Sequence, residues 1–453
     1  MHEFGDRERD HESLLPPAKR TKIGGNSARI AAEETETTRE RKTRRTTMPE
    51  FRAETLDDFY KPCPNYRLPA ELGAFSFDDK GVFQHDRSQL RYYNPPNQPS
   101  RLSMDLKVGY DGYVPKEKSG SPDLGPILRW ISLNGHCFRP RNEPLSPNNG
   151  TSAGRASAAG ETAVPTRLNE TRPDNLLTNF VVWRGMLCKM LCSLYNQTEP
   201  WKVAATLYNG TVYLQEIETE EKRRQEAIMP PQQRATCYWG LKFEDYVTSR
   251  DPPAKVGPQS PTVPQQLAPG TVNPHRAFSS VVRTRMNSHS IVMVGEVDCC
   301  EHNSKEKSPQ SYVELKTSRI ILTDRNKASF RRHKLMKWWA QSFLIGVPKL
   351  VCGFRNDDGI IKSLQSFRIS DIPKETQVDL TMWQPSVCLN FLDELLVWIR
   401  KTVIIDNPKV VYLLEWNTPY TRVTCEELSP NSEYVILPDW YLRKKSPPPY
   451  VPS

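Results

Sequence analysis

Four ionisable residues stand out by their setting: Glu296 and Asp298 in IVMVGEVDCC (291–300), and Glu314 and Lys316 in YVELKTSRIIL (312–322). Each pair sits in an apolar run, and the polar stretch 302–310 lies between the runs, the pattern of two strands joined by a loop. Side chains at i and i+2 of a strand share a face, so each strand would present two ionisable groups side by side. Three carboxylates among Ile, Val, Met, Leu and Tyr are costly to bury unless they are paired or hold a metal. Mg²⁺ or Mn²⁺ takes carboxylate oxygens, and an adjacent lysine can stabilise developing charge or orient a water. The plainer reading is a salt bridge on a solvated face. Two further Glu-x-Lys triplets, starting at Glu40 and Glu220, lie in charged runs and fit that reading. The one at Glu314 is set in an apolar strand, which favours the metal.

The elements that must position these residues follow from patterning. Leu176, Leu177, Phe180, Trp183, Leu187 and Met190 recur at helical spacing behind Asp174, a possible N-cap, and predict a helix over 174–195 that carries Arg184 and Lys189. WKVAATLYNGTVYLQEIE (201–218) is a hairpin turning at Asn209–Gly210, and ELGAFSFDDKGVFQHD (71–86) is another around 79–81. A charged helix over 219–229 leads to CYWGLKFEDYV (237–247), where Glu244 is either a fourth metal ligand or an exposed helix position. The run 278–286 reads as a strand, and 327–346 as a basic amphipathic helix closed by Gly346. A hairpin over 347–369, an apolar helix over 388–402 and a buried strand over 410–416 complete the series. Alternation of strands and helices predicts an α/β core, a mixed sheet flanked by helices.

The whole chain bounds the alternatives. Its 453 residues, 37% apolar with ten Trp and seventeen Tyr, suffice for a large core. Thirty-nine prolines and a mean hydropathy of −0.63 predict much loop. Residues 1–50 read as a disordered basic tail, with 141–170 and 250–275 as insertions and 441–453 as a Pro-rich tail. The clusters PPAKRTK (16–22) and RERKTRR (39–45) suit nuclear import or simply a solvated tail. A net charge of +9 fits a polyanionic partner. Ten scattered cysteines without a secretory signal read as reduced thiols of an intracellular protein. Cys299, Cys300 and His302 have no second ligand pair at finger-like spacing. The apolar segment 388–403 is too short and too charged to span a bilayer. No phosphate-cradling glycine loop and no nucleophile elbow occurs, which argues against a nucleotide-triphosphatase motor and a serine hydrolase.

An acidic residue followed by Glu-x-Lys on the next strand resembles the PD-(D/E)XK nuclease core. WRG (183–185), GLKFE (240–244), GEVD (295–298), VELKT (313–317) and WWAQSFLIGVPKLVCGFR (338–355), in this order, resemble the decapping exonuclease family of DXO and its fungal relatives. The resemblance covers most of 51–440. It implies a single domain with two mixed β-sheets flanked by helices, acting in RNA 5′-end quality control. Members remove incomplete caps as an intact dinucleotide, release pyrophosphate from 5′ triphosphates, remove NAD caps or degrade RNA from the 5′ end. Some fungal members bind the nuclear 5′–3′ exoribonuclease. Carried over by motif, Glu244, Glu296, Asp298, Glu314 and the Leu315 main-chain carbonyl would hold the metal, two Mg²⁺ or Mn²⁺ ions. Lys316 would position water, while Arg184 and Gln341, with Glu244 and Lys316, would hold the substrate's 5′ end. Leu241 stands where the family commonly has an aromatic residue. Phosphodiester hydrolysis fits this set, since two cations about 3.5–4 Å apart activate water and neutralise the phosphate. Guanidinium binds phosphate in bidentate fashion.

Overall fold

A computed structural model describes residues 49–96, 102–116, 123–139, 173–252, 272–302, 304–376, 382–430 and 432–450. Expectations for the basic clusters, the 141–170 insertion and most of 250–275 lie outside these residues. The structure is α/β, with two mixed sheets flanked by helices.

The larger sheet contains β1 (Phe51–Arg52), β2 (Tyr66–Phe77), β3 (Phe83–Gln84), β6 (Phe180–Trp183), β7 (Trp201–Tyr208) and β8 (Thr211–Ile217). It also takes β10 (Ala277–Met286), β11 (His289–Glu296), β16 (Tyr412–Trp416) and β17 (Arg422–Glu427), in the order β1-β17-β16-β7-β8-β6-β11-β10-β2-β3. The smaller sheet contains β4 (Tyr92–Tyr93), β5 (Met104–Asp105), β9 (Thr248–Ser249), β12 (Cys299–Cys300), β13 (Tyr312–Arg319), β14 (Lys349–Arg355) and β15 (Ile360–Arg368). Its order is β5-β15-β14-β13-β12-β4-β9. The helices are α1 (Gly125–Leu133), α2 (Arg184–Cys192), α3 (Glu220–Ala227), α4 (Pro231–Val247) and α5 (Asp324–Ser329), then α6 (Met336–Ile345), α7 (Ile372–Thr376), α8 (Pro385–Thr402) and α9 (Asp439–Leu442).

The hairpins at Asn209–Gly210 and 347–369 form as expected, and Asn209 and Gly210 both take positive φ, as a tight turn between two strands requires. Gly346 closes α6 in the left-handed conformation. Trp338 and Trp339 of α6 are buried and belong to the main core. All ten cysteines are free thiols. No helix among the described residues is long and apolar enough to cross a membrane. Towards the C-terminus, Tyr441 is fully buried and the ring of Tyr450 packs against Phe77.

Three expectations are corrected. The segment 174–195 is not one helix: Phe180–Trp183 is strand β6, and α2 begins only at Arg184. Val181 and Val182 are β-branched and fully buried, and parallel pairing to β8 and β11 on both sides outweighs the helical spacing. The basic helix of 327–346 is interrupted by a π-helical stretch, Phe330–Leu335, that separates α5 from α6. The third concerns the site itself. The run 291–300 is not one strand paired to 312–322: it is split between the sheets, β11 in the larger and β12 in the smaller. Val297 still donates to the Phe278 carbonyl at 2.9 Å, and beyond it the chain passes from one sheet to the other.

Candidate active site

The site lies where that crossing occurs. β11 runs parallel to β6 with Val294 opposite Trp183, so the two strands end together. The next residue on one is Arg184, the first of α2, and on the other Gly295 and Glu296. Gly295 permits this closeness. A Cβ there would stand 2.4 Å from Ile345 Cδ1 and 2.9 Å from Arg184 Cδ. Ile345 belongs to α6, so one glycine draws α6 and the Arg184 stem against the end of β11.

On the other side, β12 pairs with β13 only at Cys299–Val313 and Cys300–Tyr312. Beyond that point the edge of β13 is open to the crossing. Asp298 fills the gap, accepting a hydrogen bond from the Leu315 N–H at 2.6 Å in place of a ladder partner. In a ladder the N–H and C=O of one residue leave the strand on the same side, so the Leu315 carbonyl faces the same edge. Glu314 is 1% exposed, which excludes the solvated-face reading. Its carboxylate accepts from Lys316 Nζ at 2.5 Å and pairs with Arg184 Nη1 at 3.3 Å. α4 packs along β13 and brings in Glu244, half-buried, whose ionisation is opposed by Asp298 and Glu296.

The electrostatics divide these groups. Burial opposes the charge of Glu314, but Lys316 and Arg184 overcome it and hold the carboxyl below its ordinary value. Burial and then Glu314 push Asp298 up to about 7. Glu244 is raised well above the usual range by burial and by Asp298 and Glu296. Burial, with Glu314 adding to it, raises Glu296 against the opposing pull of Arg184 and Lys316. Its side chain nevertheless reaches solvent, so the site is a recess open to water and not a sealed core. Lys316 is held protonated: burial disfavours its charge, and Glu314 and Asp298 more than restore it.

Of the residues singled out in the sequence, Arg184, Glu244, Glu296, Asp298, Glu314, Leu315 and Lys316 are thus brought together. Gln341 is placed less directly. It stands one helical turn from Lys337, whose carbonyl meets Cys188 of α2, and one turn from Ile345, which meets Gly295. That row of α6 faces α2, so Gln341 lies between those contacts, though no hydrogen bond joins it to Arg184 or the carboxylates. One contributor escaped the sequence reading: Lys116, whose charge favours ionised Glu296. It sits in a segment with no motif, so only the fold reveals it.

Among the described residues, no three His, Cys, Asp or Glu side chains converge as a finished metal shell. The donor set still fits a hard cation. It is oxygen only, four carboxylates and a main-chain carbonyl, and three of the carboxylates are held towards the protonated form by burial and one another.

Comparison with known proteins places this geometry. The profile of the RAI1-like PD-(D/E)XK nuclease family matches residues 67–442. The decapping and exoribonuclease protein of Xenopus laevis is 36% identical over 396 residues, covering 86% of this chain and 89% of its own length. The decapping nuclease RAI1 of Aspergillus fumigatus is 29% identical over 368 residues, covering 78% and 87%. The structure of Candida albicans Rai1 in complex with pU5-Mn²⁺ superposes with a TM-score of 0.67 at 22% identity, covering 88% of this chain and 99% of that one. With its family profile matched across both sheets and the carboxylates gathered at their junction, the chain belongs to the RAI1-like PD-(D/E)XK nuclease family.

Proposed function

We propose that this protein is a divalent-metal-dependent hydrolase of RNA 5′ ends. It would remove incomplete or unmethylated caps as an intact dinucleotide, release pyrophosphate from 5′ triphosphates and act on NAD caps. The observation that carries the reading is Glu314, buried and ionised between Lys316 and Arg184, with Glu244, Glu296 and Asp298 around it. The relatives support the substrate class by name, and Candida albicans Rai1 is seen with pU5 and Mn²⁺.

Glu244, Glu296, Asp298, Glu314 and the Leu315 carbonyl would hold Mg²⁺ or Mn²⁺, with room in the donor count for two ions. A bound divalent cation supplies charge neutralisation and a more acidic water. Lys316 is a fixed cation rather than a base, because Glu314 and Asp298 keep its proton on. It would face the charge that grows on the scissile phosphate and orient the attacking water. The Arg184 guanidinium, anchored on one side by Glu314, would offer its remaining donors to the 5′ phosphates. Gln341 would add an amide on the same side.

A nuclear location, which the basic clusters at 16–22 and 39–45 suit, and association with the nuclear 5′–3′ exoribonuclease, which the family resemblance suggests, belong to the same proposal. The decisive experiment gives purified protein 5′-triphosphate, unmethylated-cap and NAD-capped RNAs, with and without Mg²⁺ or Mn²⁺, and identifies the released products. Metal-dependent release of pyrophosphate or a cap dinucleotide is expected. Full activity in Glu314→Ala would overturn the site assignment.

A further inference from the structure

A second anion-binding feature lies at the far end of the elements that build the carboxylate recess. Arg319 ends β13 and Arg355 ends β14, opposite each other in the parallel ladder. Residues 315, 317 and 319 alternate with the recess-facing 314 and 316, and Leu315 packs with α4, so Arg319 and its neighbour Arg355 point to the α4 side. There an open depression with about 330 Å³ of space is lined by Pro230, Gln232, Gln233, Thr236, Trp239, Arg319 and Arg355.

Its donors are only partly used: Arg355 Nη1 donates to the Asn356 carbonyl at 3.2 Å and the Thr236 hydroxyl to the Gln232 carbonyl at 2.9 Å. Arg355 is only 8% exposed, and its guanidinium lies 4.5 Å over the Trp239 ring. The buried Arg355 Nε and Trp239 Nε1 have no hydrogen-bond partner. Buried donors in that state await an acceptor. Arg319 reaches solvent and pairs with the equally exposed Asp357 at 2.8 Å. The cavity also takes in the start of α4, where Pro230 and Pro231 carry no N–H and the Gln233 and Arg234 amides donate to the Pro230 carbonyl, so what favours an anion at that end is the helix dipole.

Charge points the same way. Burial, then Arg319, holds Arg355 below the ordinary guanidinium range, with Asp357 opposing. Lys334, reached from the other face through Ser318, is lowered by burial and by repulsion from both arginines, against the pull of Cys352. Three cations repel one another here, and Asp357 is the acidic group that offsets them. An anion would relieve all three.

The geometry points to the phosphate backbone of an RNA chain as the occupant, and we propose that this pocket grips a phosphate 3′ to the reacting 5′ end, a reading that rests on the function proposed above. Two spans tie the sites together. From Leu315 to Arg319 the strand advances about 13 Å. From Thr236 to Glu244 α4 advances about 12 Å. Because the recess and the pocket face opposite sides of β13, a single strand joining them passes around the end of the sheet, and several nucleotides cover that path. A backbone grip of this kind reads charge and not sequence.

The test is binding of the full chain, in chelator to prevent turnover, to 5′-phosphorylated oligouridylates of two and of ten nucleotides, followed by fluorescence anisotropy. Arg319→Glu is expected to weaken the ten-mer about tenfold and to lower its salt slope by about one, leaving the dinucleotide unchanged. Arg355→Gln should act in the same direction, with thermal unfolding checking that it folds. Native binding of both lengths by both folded variants would overturn the proposal. So would loss of a co-purifying acidic protein on Arg319→Glu with oligonucleotide binding intact, because the pocket would then be a protein dock. Inorganic pyrophosphate that binds the native chain and not Arg319→Glu would uphold the anion pocket even if no RNA 5′ end were hydrolysed. The two readings therefore fail separately.

Discussion

Two pairs of ionisable residues with identical spacing meet in this site and behave in opposite ways. Glu314 and Lys316 occupy one face of one strand, and the lysine, with Arg184, holds the glutamate ionised in a buried position. Glu296 and Asp298 straddle the passage between two sheets, and both are pushed towards the protonated form, Asp298 to about 7. The i, i+2 spacing therefore does not decide what a pair does. What decides it is whether the neighbour supplied by the fold is a cation or another carboxylate. One pair is electrically satisfied by the protein. The other stores repulsion that a hard cation is suited to relieve.

The largest change is expected from removing the cation that sets Glu314 apart. Lys316→Met keeps the stem and deletes the charge, leaving Glu314 with Arg184 alone. RNA 5′-end hydrolysis should fall by on the order of 10³, the loss typical of one charge-stabilising group. The comparison breaks if single-turnover rates with 5′-triphosphate RNA fall less than tenfold.

Gly295→Ala tests the close packing that brings Arg184 to Glu314. The new methyl meets Ile345 Cδ1 and the Arg184 stem, so either α6 or Arg184 must shift. Overpacking of this kind costs about 1–3 kcal/mol, and chemical denaturation should show it. Activity should drop with it if Arg184 is the part that moves. A stable, fully active variant would show that the recess tolerates a looser end to β11.

How much of this was visible in the sequence depends on whether local pattern or long-range pairing decides the element. β13 was legible as an apolar run, because Tyr312, Val313 and Leu315 surround the charged pair, and its first four residues, Glu314 included, are buried. The Asn209–Gly210 hairpin was legible from its turn chemistry. β6 was not, since apolar residues at helical spacing mask a short central strand whose partners, β8 and β11, lie elsewhere in the chain. The crossing at Val297–Asp298 was equally hidden: IVMVGEVDCC reads as one apolar strand, and only the two sheets divide it. The carboxylates, Lys316 and Arg184, grouped in the sequence by the order of the motifs, do lie together in the fold. Lys116 lacked a motif and was missed.

Cation affinity should expose the second pair directly. A carboxyl near pH 7 must lose its proton before it can bind a metal, so metal and proton compete. Affinity for Mn²⁺, measured calorimetrically in the native chain, should rise by up to about tenfold between pH 6 and 7 and then flatten. Flat affinity over that interval would place Asp298 outside the binding set.

The smallest effect sharpens the same point without any metal. Burial and then Glu314 push Asp298 up to about 7 in the folded chain, against an ordinary value of 3.8. The native state therefore holds a proton that the unfolded chain has already released. The stabilisation this gives is present at low pH and is lost as pH rises from roughly 4 to 7. Asp298→Asn removes that dependence while keeping an oxygen to accept the Leu315 N–H. In chelator above pH 7 the variant should be more stable than the native chain by about 1–2 kcal/mol, a figure kept small because the recess admits water. Below pH 4 the two should unfold alike. Glu314→Gln should shift in the opposite direction at neutral pH, because its carboxylate is held ionised by two cations that the amide would leave poorly paired. Opposite signs from two acid-to-amide changes on either side of one hydrogen-bonded strand edge would establish the division. Equal signs would dissolve it.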